Sequence, residues 1–199
     1  SKKDKFGYVV NCIGVIKPKI NENDAESVKN TIQVNSFLPI YLQRISEEKD
    51  IHYIQIGTDC VFTGDTGSYY EDSFMDAKDL YGKTKYLGEL VNYTNCITIR
   101  TSIIGPELQS KVSLLEWFLS QKGTVNGYVN AIYSGLTTIE LIKIIVDHII
   151  PNLNKHGLYN ISSEPISKHD LLVKIAREFN FNIIIKSFGE FFNNKSLNS

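Results

Sequence analysis

A chain of 199 residues with 42% hydrophobic and 22% charged side chains can bury one sizeable core, or a core plus a small second lobe, and its composition excludes disorder, collagen and coiled coil. Its 21 basic and 22 acidic residues cancel to a net charge of -1 without a like-charged block to track a phosphate backbone, so nucleic acid is excluded as the expected partner. Cys12, Cys60 and Cys96 are odd in number and far apart, which makes neither a disulfide framework nor a zinc knuckle and points to a reducing compartment, the cytoplasm.

The start of the chain mimics a targeting signal, with Lys2, Lys3 and Lys5 ahead of a mostly apolar run over 6–16. Asn11 interrupts that run, no small-residue cleavage site follows, and Lys17-Pro18-Lys19 closes it, so a buried strand over 8–13 is the better reading. No stretch approaches the roughly 20 apolar residues that a membrane helix needs, and no membrane partner is expected.

Next comes a helical pattern through Val28, Ile32, Phe37, Leu38, Tyr41, Leu42 and Ile45, then a second apolar strand over 51–56 ending at Gly57-Thr58-Asp59. A long acidic loop over 62–78, a helix over 79–93 and a third strand over 96–100 follow. Strands apolar on both faces and separated by helices predict right-handed βαβ units: an α/β fold with a doubly wound parallel sheet. Beyond Gly105-Pro106 the pattern predicts a helix over 112–120, a Gly-rich turn over 123–127, and a helix over 141–150 that Pro151 stops. Thr137 and Glu140 have capping-box spacing for that helix, Ser167 and Asp170 open another over 171–179, and an apolar strand is expected over 181–185. The division read from this change of texture is 1–105 and 106–199, the second part a smaller lobe.

Tyr81-Gly82-Lys83-Thr84-Lys85 places a phenol and an ammonium four residues apart on one helix face. Proton transfer at a carbinol oxygen wants such a pair, because a nearby ammonium favours the phenolate and lowers the tyrosine pKa. Among 11 tyrosines in 199 residues, roughly one such pairing with a lysine is also expected by chance. Its context is informative: Thr58 closes a parallel strand, where open α/β sheets collect ligands, and its hydroxyl could reach the oxygen that Tyr81 protonates. The plainer alternatives are that Thr58-Asp59 forms an ordinary strand-to-loop turn and that Asn11-Cys12-Ile13-Gly14 is a simple βα turn. His52, His148, His156 and His169 have no ligand spacing, so no metal site is expected. Trp117 and Phe118, beside Leu114 and Leu115, read as lobe core, and the aromatic cluster over 188–192 as core or exposed surface.

Taken in order, Asn11 to Gly14, Asn35, Thr58-Asp59-Cys60-Val61-Phe62, the Tyr81 to Lys85 motif and Arg100-Thr101-Ser102 resemble the extended short-chain dehydrogenase/reductases, above all dTDP-4-dehydrorhamnose reductases and related sugar-nucleotide reductases. The resemblance covers about 1–105 and, more loosely, 106–199 through Gly135-Leu136-Thr137-Thr138 and the strand over 158–162. It implies a Rossmann-like domain for NADP or NAD, a lobe for a nucleotide-sugar substrate, and reduction of a 4-keto sugar in deoxysugar or surface polysaccharide biosynthesis; a homodimer is compatible with it. It also implies Tyr81 as proton donor, Lys85 as holder of the nicotinamide ribose, Thr58 as polariser of the keto oxygen, Asn11, Cys12 and Ile13 along the cofactor, and Asp59, Val61 and Phe62 toward the sugar.

Gly57, Cys60 and Ile103 stand where those reductases commonly have Ser, Tyr and Trp, which leaves the sugar open. None of the 13 glycines forms the turn that cradles a dinucleotide pyrophosphate. The expectation is therefore an internal fragment lacking the N-terminal glycine-rich motif, with an uncovered sheet edge and weak cofactor binding by itself. Two other activities stay open: a nucleotide-sugar epimerase or dehydratase of the same fold, and a non-catalytic sugar-nucleotide-binding or regulatory protein.

Overall fold

The computed structural model describes residues 7–108 and 112–199, so Lys2, Lys3 and Lys5 lie outside the described residues. In chain order the elements are β1 (Tyr8–Asn11), α1 (Ala25–Ile32) running through a π-helical turn (Gln33–Phe37) into α2 (Leu38–Glu48), β2 (His52–Ile56), α3 (Leu80–Leu87), β3 (Cys96–Arg100), β4 (Ile103–Ile104), α4 (Leu114–Leu119), β5 (Thr124–Tyr128) and β6 (Ala131–Tyr133). Then follow β7 (Leu136–Thr137), α5 (Thr138–Ile144), β8 (Gly157–Asn160), β9 (Ile166–Ser167), α6 (Lys168–Glu178), β10 (Ile184–Phe188) and β11 (Asn193–Asn194).

The main sheet is wholly parallel in the order β1-β2-β3-β8. Alternation along its strands sends Ile54, Ile56, Ile97 and Ile99 to one face, where Leu141 and Ile145 of the α5 segment cover them. Each isoleucine buried there is worth about 1.5–3 kcal/mol. The opposite face carries Tyr53, Gln55, Cys96, Thr98 and Arg100 under the α1-α2 and α3 layer, and its polar groups are paired. Asn11 Nδ2 and the Tyr53 hydroxyl both donate to Gln55 Oε1, at 2.9 and 2.8 Å. β1 pairs with β2 alone among the described strands, and Tyr8 and Val9 on it are 42% and 37% exposed.

The three strands expected in this sheet are all parallel, and the strand expected over 158–162 joins them as a fourth. Residues 157–160 leave the second part of the chain and pair with β3, so this sheet draws on both sides of the 105/106 division. β1 stops at Asn11 rather than Ile13 because the Asn11 side chain accepts a hydrogen bond from the Ile13 amide at 3.1 Å, a local turn that competes with the ladder. The helix expected over 79–93 ends at Leu87, where Gly88 is pressed so closely on the Asn35 carbonyl that a Cβ would lie 2.1 Å from its oxygen.

In the second part of the chain, the Gly-rich stretch expected as a turn over 123–127 is mostly strand β5. Val125 and Gly127 point inward with period two, and the turn is made earlier by Gly123 at φ 75°. Beside it β10 begins at Ile184, later than expected, while Phe181 packs edge-on against Phe118 at 5.5 Å. Leu115, Phe118, Val125, Leu172 and Ile175 form a second hydrophobic cluster, whereas Trp117, expected in core, is 38% exposed. In the aromatic cluster, Phe188 and Phe191 both pack edge-on against Tyr128, and Phe191 and Phe192 remain exposed.

Candidate functional site

The C-terminal ends of β1 and β2, the α3 face and the start of α5 enclose a cleft of about 430 Å³, lined by Cys12, Ile13, Gly14, Ile56, Gly57, Tyr81, Lys85 and apolar residues of the α5 segment. A larger hollow of about 530 Å³ over 22–33 carries no residue of the Tyr81 constellation. The α3 helix is started by Asp79, whose side chain accepts from the Gly82 amide at 2.8 Å. One turn apart on it, Tyr81 and Lys85 both face the cleft. Gly82 between them lets α3 lie against the segment that follows β2: a Cβ there would come within 2.3 Å of the Cys60 carbonyl oxygen and 2.5 Å of the Ala77 Cβ.

That segment is a single 3-10 turn (Asp59–Val61) capped by Thr58, whose Oγ1 accepts from the Cys60 amide at 3.2 Å. Thr58 also lies near enough to the Tyr81 phenol to favour its ionised form. Burial pushes the Tyr81 phenol well above the ordinary tyrosine range; Cys60, Asp59 and Asp79 push the same way, and Thr58 opposes them. This corrects the expectation that Lys85 lowers the tyrosine pKa, since the phenol is desolvated among acidic neighbours while the Lys85 ammonium donates to the Ile56 carbonyl at 2.9 Å. Burial lowers the Lys85 pKa, against the opposing pull of Glu89 and Cys12.

Cys12 and Ile13 line the cleft as expected, but Asn11 does not. Its side chain is 3% exposed and turned into the sheet, where it fixes the following loop through Gln55 and the Ile13 amide. Asp59 is buried at 5% exposure and accepts from Ser102 Oγ at 2.7 Å and from Thr58 Oγ1 at 3.4 Å. Val61 and Phe62, expected toward the sugar, are fully buried instead. They pack with Tyr69, Met75 and Leu197 in a separate small core, Phe62 stacked on Tyr69 at 4.0 Å and lying beneath the Arg100 guanidinium, and so present no surface to a ligand.

Several supporting residues were given no role from the sequence. Asn35, in the π-helical turn, pairs with both backbone groups of Val15, its Oδ1 accepting at 2.8 Å and its Nδ2 donating at 3.0 Å, which pins the loop over the cleft. Sequence reading noted Asn35 only through the resemblance; a polar residue in an amphipathic helix was the available signal. Lys17 reaches across to Asp79 at 2.7 Å and its ammonium lies 5.9 Å from the centre of the Tyr81 ring. Behind Lys85, Arg100 and Glu89 form a buried two-pronged ion pair at 3.0 and 2.8 Å. Among the described residues no cluster of His, Cys, Asp or Glu could hold a metal ion, and no helix is long and apolar enough to cross a membrane.

Comparison with known proteins places this geometry. The family model of the RmlD substrate binding domain matches residues 2–183. A bifunctional dTDP-4-dehydrorhamnose 3,5-epimerase/dTDP-4-dehydrorhamnose reductase of Arabidopsis thaliana is 25% identical over 186 residues, which is 88% of this chain but 60% of the relative's length. A hypothetical dTDP-4-dehydrorhamnose reductase from Sulfolobus tokodaii superposes with a TM-score of 0.79 at 23% identity, covering 97% of this chain and 71% of that one. The dTDP-4-dehydrorhamnose reductase from Bacillus anthracis in complex with NADP gives a TM-score of 0.78 at 17% identity over 97% of this chain and 72% of that one. Fold and sequence agree with the parallel, Rossmann-like architecture read above, and the chain belongs to the RmlD substrate binding domain family.

Proposed function

We propose that this cleft serves NAD(P)H-dependent reduction of a 4-keto sugar nucleotide, a dTDP-4-dehydrorhamnose reductase-like reaction in deoxysugar or surface polysaccharide biosynthesis. The observation that carries the reading is that Tyr81 and Lys85 both line one apolar cleft on the C-terminal edge of a parallel sheet, with Thr58 buried close behind Tyr81. The name of the Arabidopsis relative and the NADP in the Bacillus structure lend it support. The three free thiols suit a reducing, cytoplasmic setting.

The residues present fit the nicotinamide end of such a cofactor. The cleft is apolar enough for a flat ring, and Lys85 offers an ammonium for ribose hydroxyls. The glycine turn that would cradle the pyrophosphate is not among the motifs of this chain. When bound there, a reduced nicotinamide supplies a hydride. Tyr81 gives its phenolic proton to the keto oxygen as that oxygen becomes an alcohol, and Thr58 donates a hydrogen bond to the same oxygen. The phenol carries its proton at neutral pH; burial makes it a weaker acid than an ordinary tyrosine, so the transfer relies on its position at the keto oxygen rather than on a lowered pKa. In this reading residues 1–105 serve chiefly the cofactor, 106–199 the sugar nucleotide, and Asp59 faces the sugar.

Following NADPH consumption in the full-length protein with a dTDP-4-keto-6-deoxyhexose tests the proposal. Tyr81→Phe should lower the rate by at least about 100-fold. Unchanged turnover in that variant would make Tyr81 a packing residue, and product formed without net nicotinamide loss would point to an epimerase or dehydratase instead.

A further inference from the structure

In the second part of the chain, the Tyr133 hydroxyl is buried without a partner and the half-buried Lys168 ammonium stands over its ring. Lys168 is the first residue of α6, held next to β6 by the antiparallel pairing of β9, which places Ser167 opposite Ile132 and Ile166 opposite Tyr133. Its ammonium lies 4.2 Å from the centre of the Tyr133 ring, and among the described residues no hydrogen bond or ion pair closes on it. Asp59 and Cys60 are both within its electrostatic reach. Tyr133 is 8% exposed, and its hydroxyl is one of three buried polar side-chain groups among the described residues with no hydrogen-bond partner. That hydroxyl rests against Gly135, where a Cβ would come within 2.1 Å of it, and Asp59 is close enough to raise the phenol's pKa further.

Buried polar groups are nearly always paired, so a buried hydroxyl left unpaired beside an ammonium and within electrostatic reach of a carboxylate calls for a missing partner. The chemistry of the gap narrows what that partner is. Lys168 only donates, Asp59 only accepts, and a hydroxyl does either. Their charges are opposite yet too far apart for a direct ion pair, so the gap is electrically balanced. A phosphate would meet the Asp59 charge, and a cation would meet Lys168. A neutral hydroxyl, accepting from the ammonium while donating to the carboxylate, satisfies all of them.

We propose that Lys168 and Tyr133, facing Asp59 and Ser102, form the wall that reads the hydroxyl groups of the substrate's sugar ring. This rests on the sugar-nucleotide reading above and assigns to the second lobe the choice between sugars, at residues no motif marks.

Calorimetric titration of the 199-residue chain tests it without relying on turnover. The probes are dTDP, UDP and GDP, each compared with its hexose conjugate: dTDP-glucose, UDP-glucose and GDP-mannose. For the nucleotide that binds, Lys168→Met should weaken the conjugate by about tenfold or more, and Tyr133→Phe, which keeps the ring, by several-fold, while the bare diphosphate binds as before. Equal losses for conjugate and bare diphosphate would place Lys168 on the phosphates and overturn the proposal. So would unchanged affinity in Tyr133→Phe and in Lys168→Met, or, should that variant not fold, in Lys168→Gln. Wild-type chain that binds no conjugate would instead remove the sugar-nucleotide reading itself, and this proposal with it.

Discussion

Replacing Arg100 by methionine should destabilise the protein more than any change on its surface. Arg100 has no exposed area, and its partner Glu89 has a side chain 3% exposed. The guanidinium also donates to the Glu71 carbonyl and the Met75 sulfur, each at 3.4 Å, and lies 5.0 Å over the Phe62 ring. Its loss leaves a carboxylate buried without a counter-charge, which costs about 3–5 kcal/mol. At about 2–4 °C per kcal/mol for a chain of this size, Tm should fall by roughly 6–20 °C. Replacing both partners by apolar side chains removes the stranded charge, so Arg100→Met combined with Glu89→Leu should recover most of that loss. Urea unfolding of the two single variants and the double variant closes the cycle. Activity should not return in the double variant, because the charge of Glu89, just past the end of α3, supports the Lys85 ammonium. An Arg100→Met variant within about 1 kcal/mol of the native protein, or a double variant no more stable than the single, would refute this account of the pair.

The remaining expectations are narrower. Gly82→Ala should cost about 1–3 kcal/mol through its clash with the Cys60 carbonyl; because it also pushes Tyr81 away from Thr58, turnover should fall further than stability does, and a variant with full activity would mean that α3 slides without consequence. Burial pushes the Cys96 thiol from 9.0 up to about 12. The folded state therefore holds a proton that the unfolded chain releases above pH 9, and this contribution, complete below pH 9, is lost as pH rises toward 12. Between pH 8 and pH 10 the loss from this group is about 1.4 kcal/mol, readable by urea unfolding at the two pH values and diminished in Cys96→Ser. Stability that stays level or rises over that interval would contradict it.

The local rules of the chain were open to reading in one dimension. Strands Tyr8–Asn11, His52–Ile56 and Cys96–Arg100 are runs of apolar and β-branched residues whose alternation needs both faces covered, and that demand alone implies a parallel sheet with helices on either side. Thr137 and Ser167 announce their helices because a capping hydroxyl acts on an amide three residues away, and both bonds are present, at 3.2 and 3.0 Å. Tyr81 and Lys85 share a face by the pitch of the helix and nothing else. Wherever the deciding neighbour is remote in sequence, only the tertiary structure could settle the matter. Val61 and Phe62 continue the Thr58-Asp59 motif, yet Leu197 near the other end of the chain draws them into a core of their own. Asn11 was expected at the cleft, but Gln55, 44 residues on, turns it into the sheet. The Tyr81 phenol is raised rather than lowered because burial, which has no sequence signature, outweighs a charge one turn away. Lys168 and Tyr133 come within electrostatic reach of Asp59 only because the pairing of β6 with β9 holds them together.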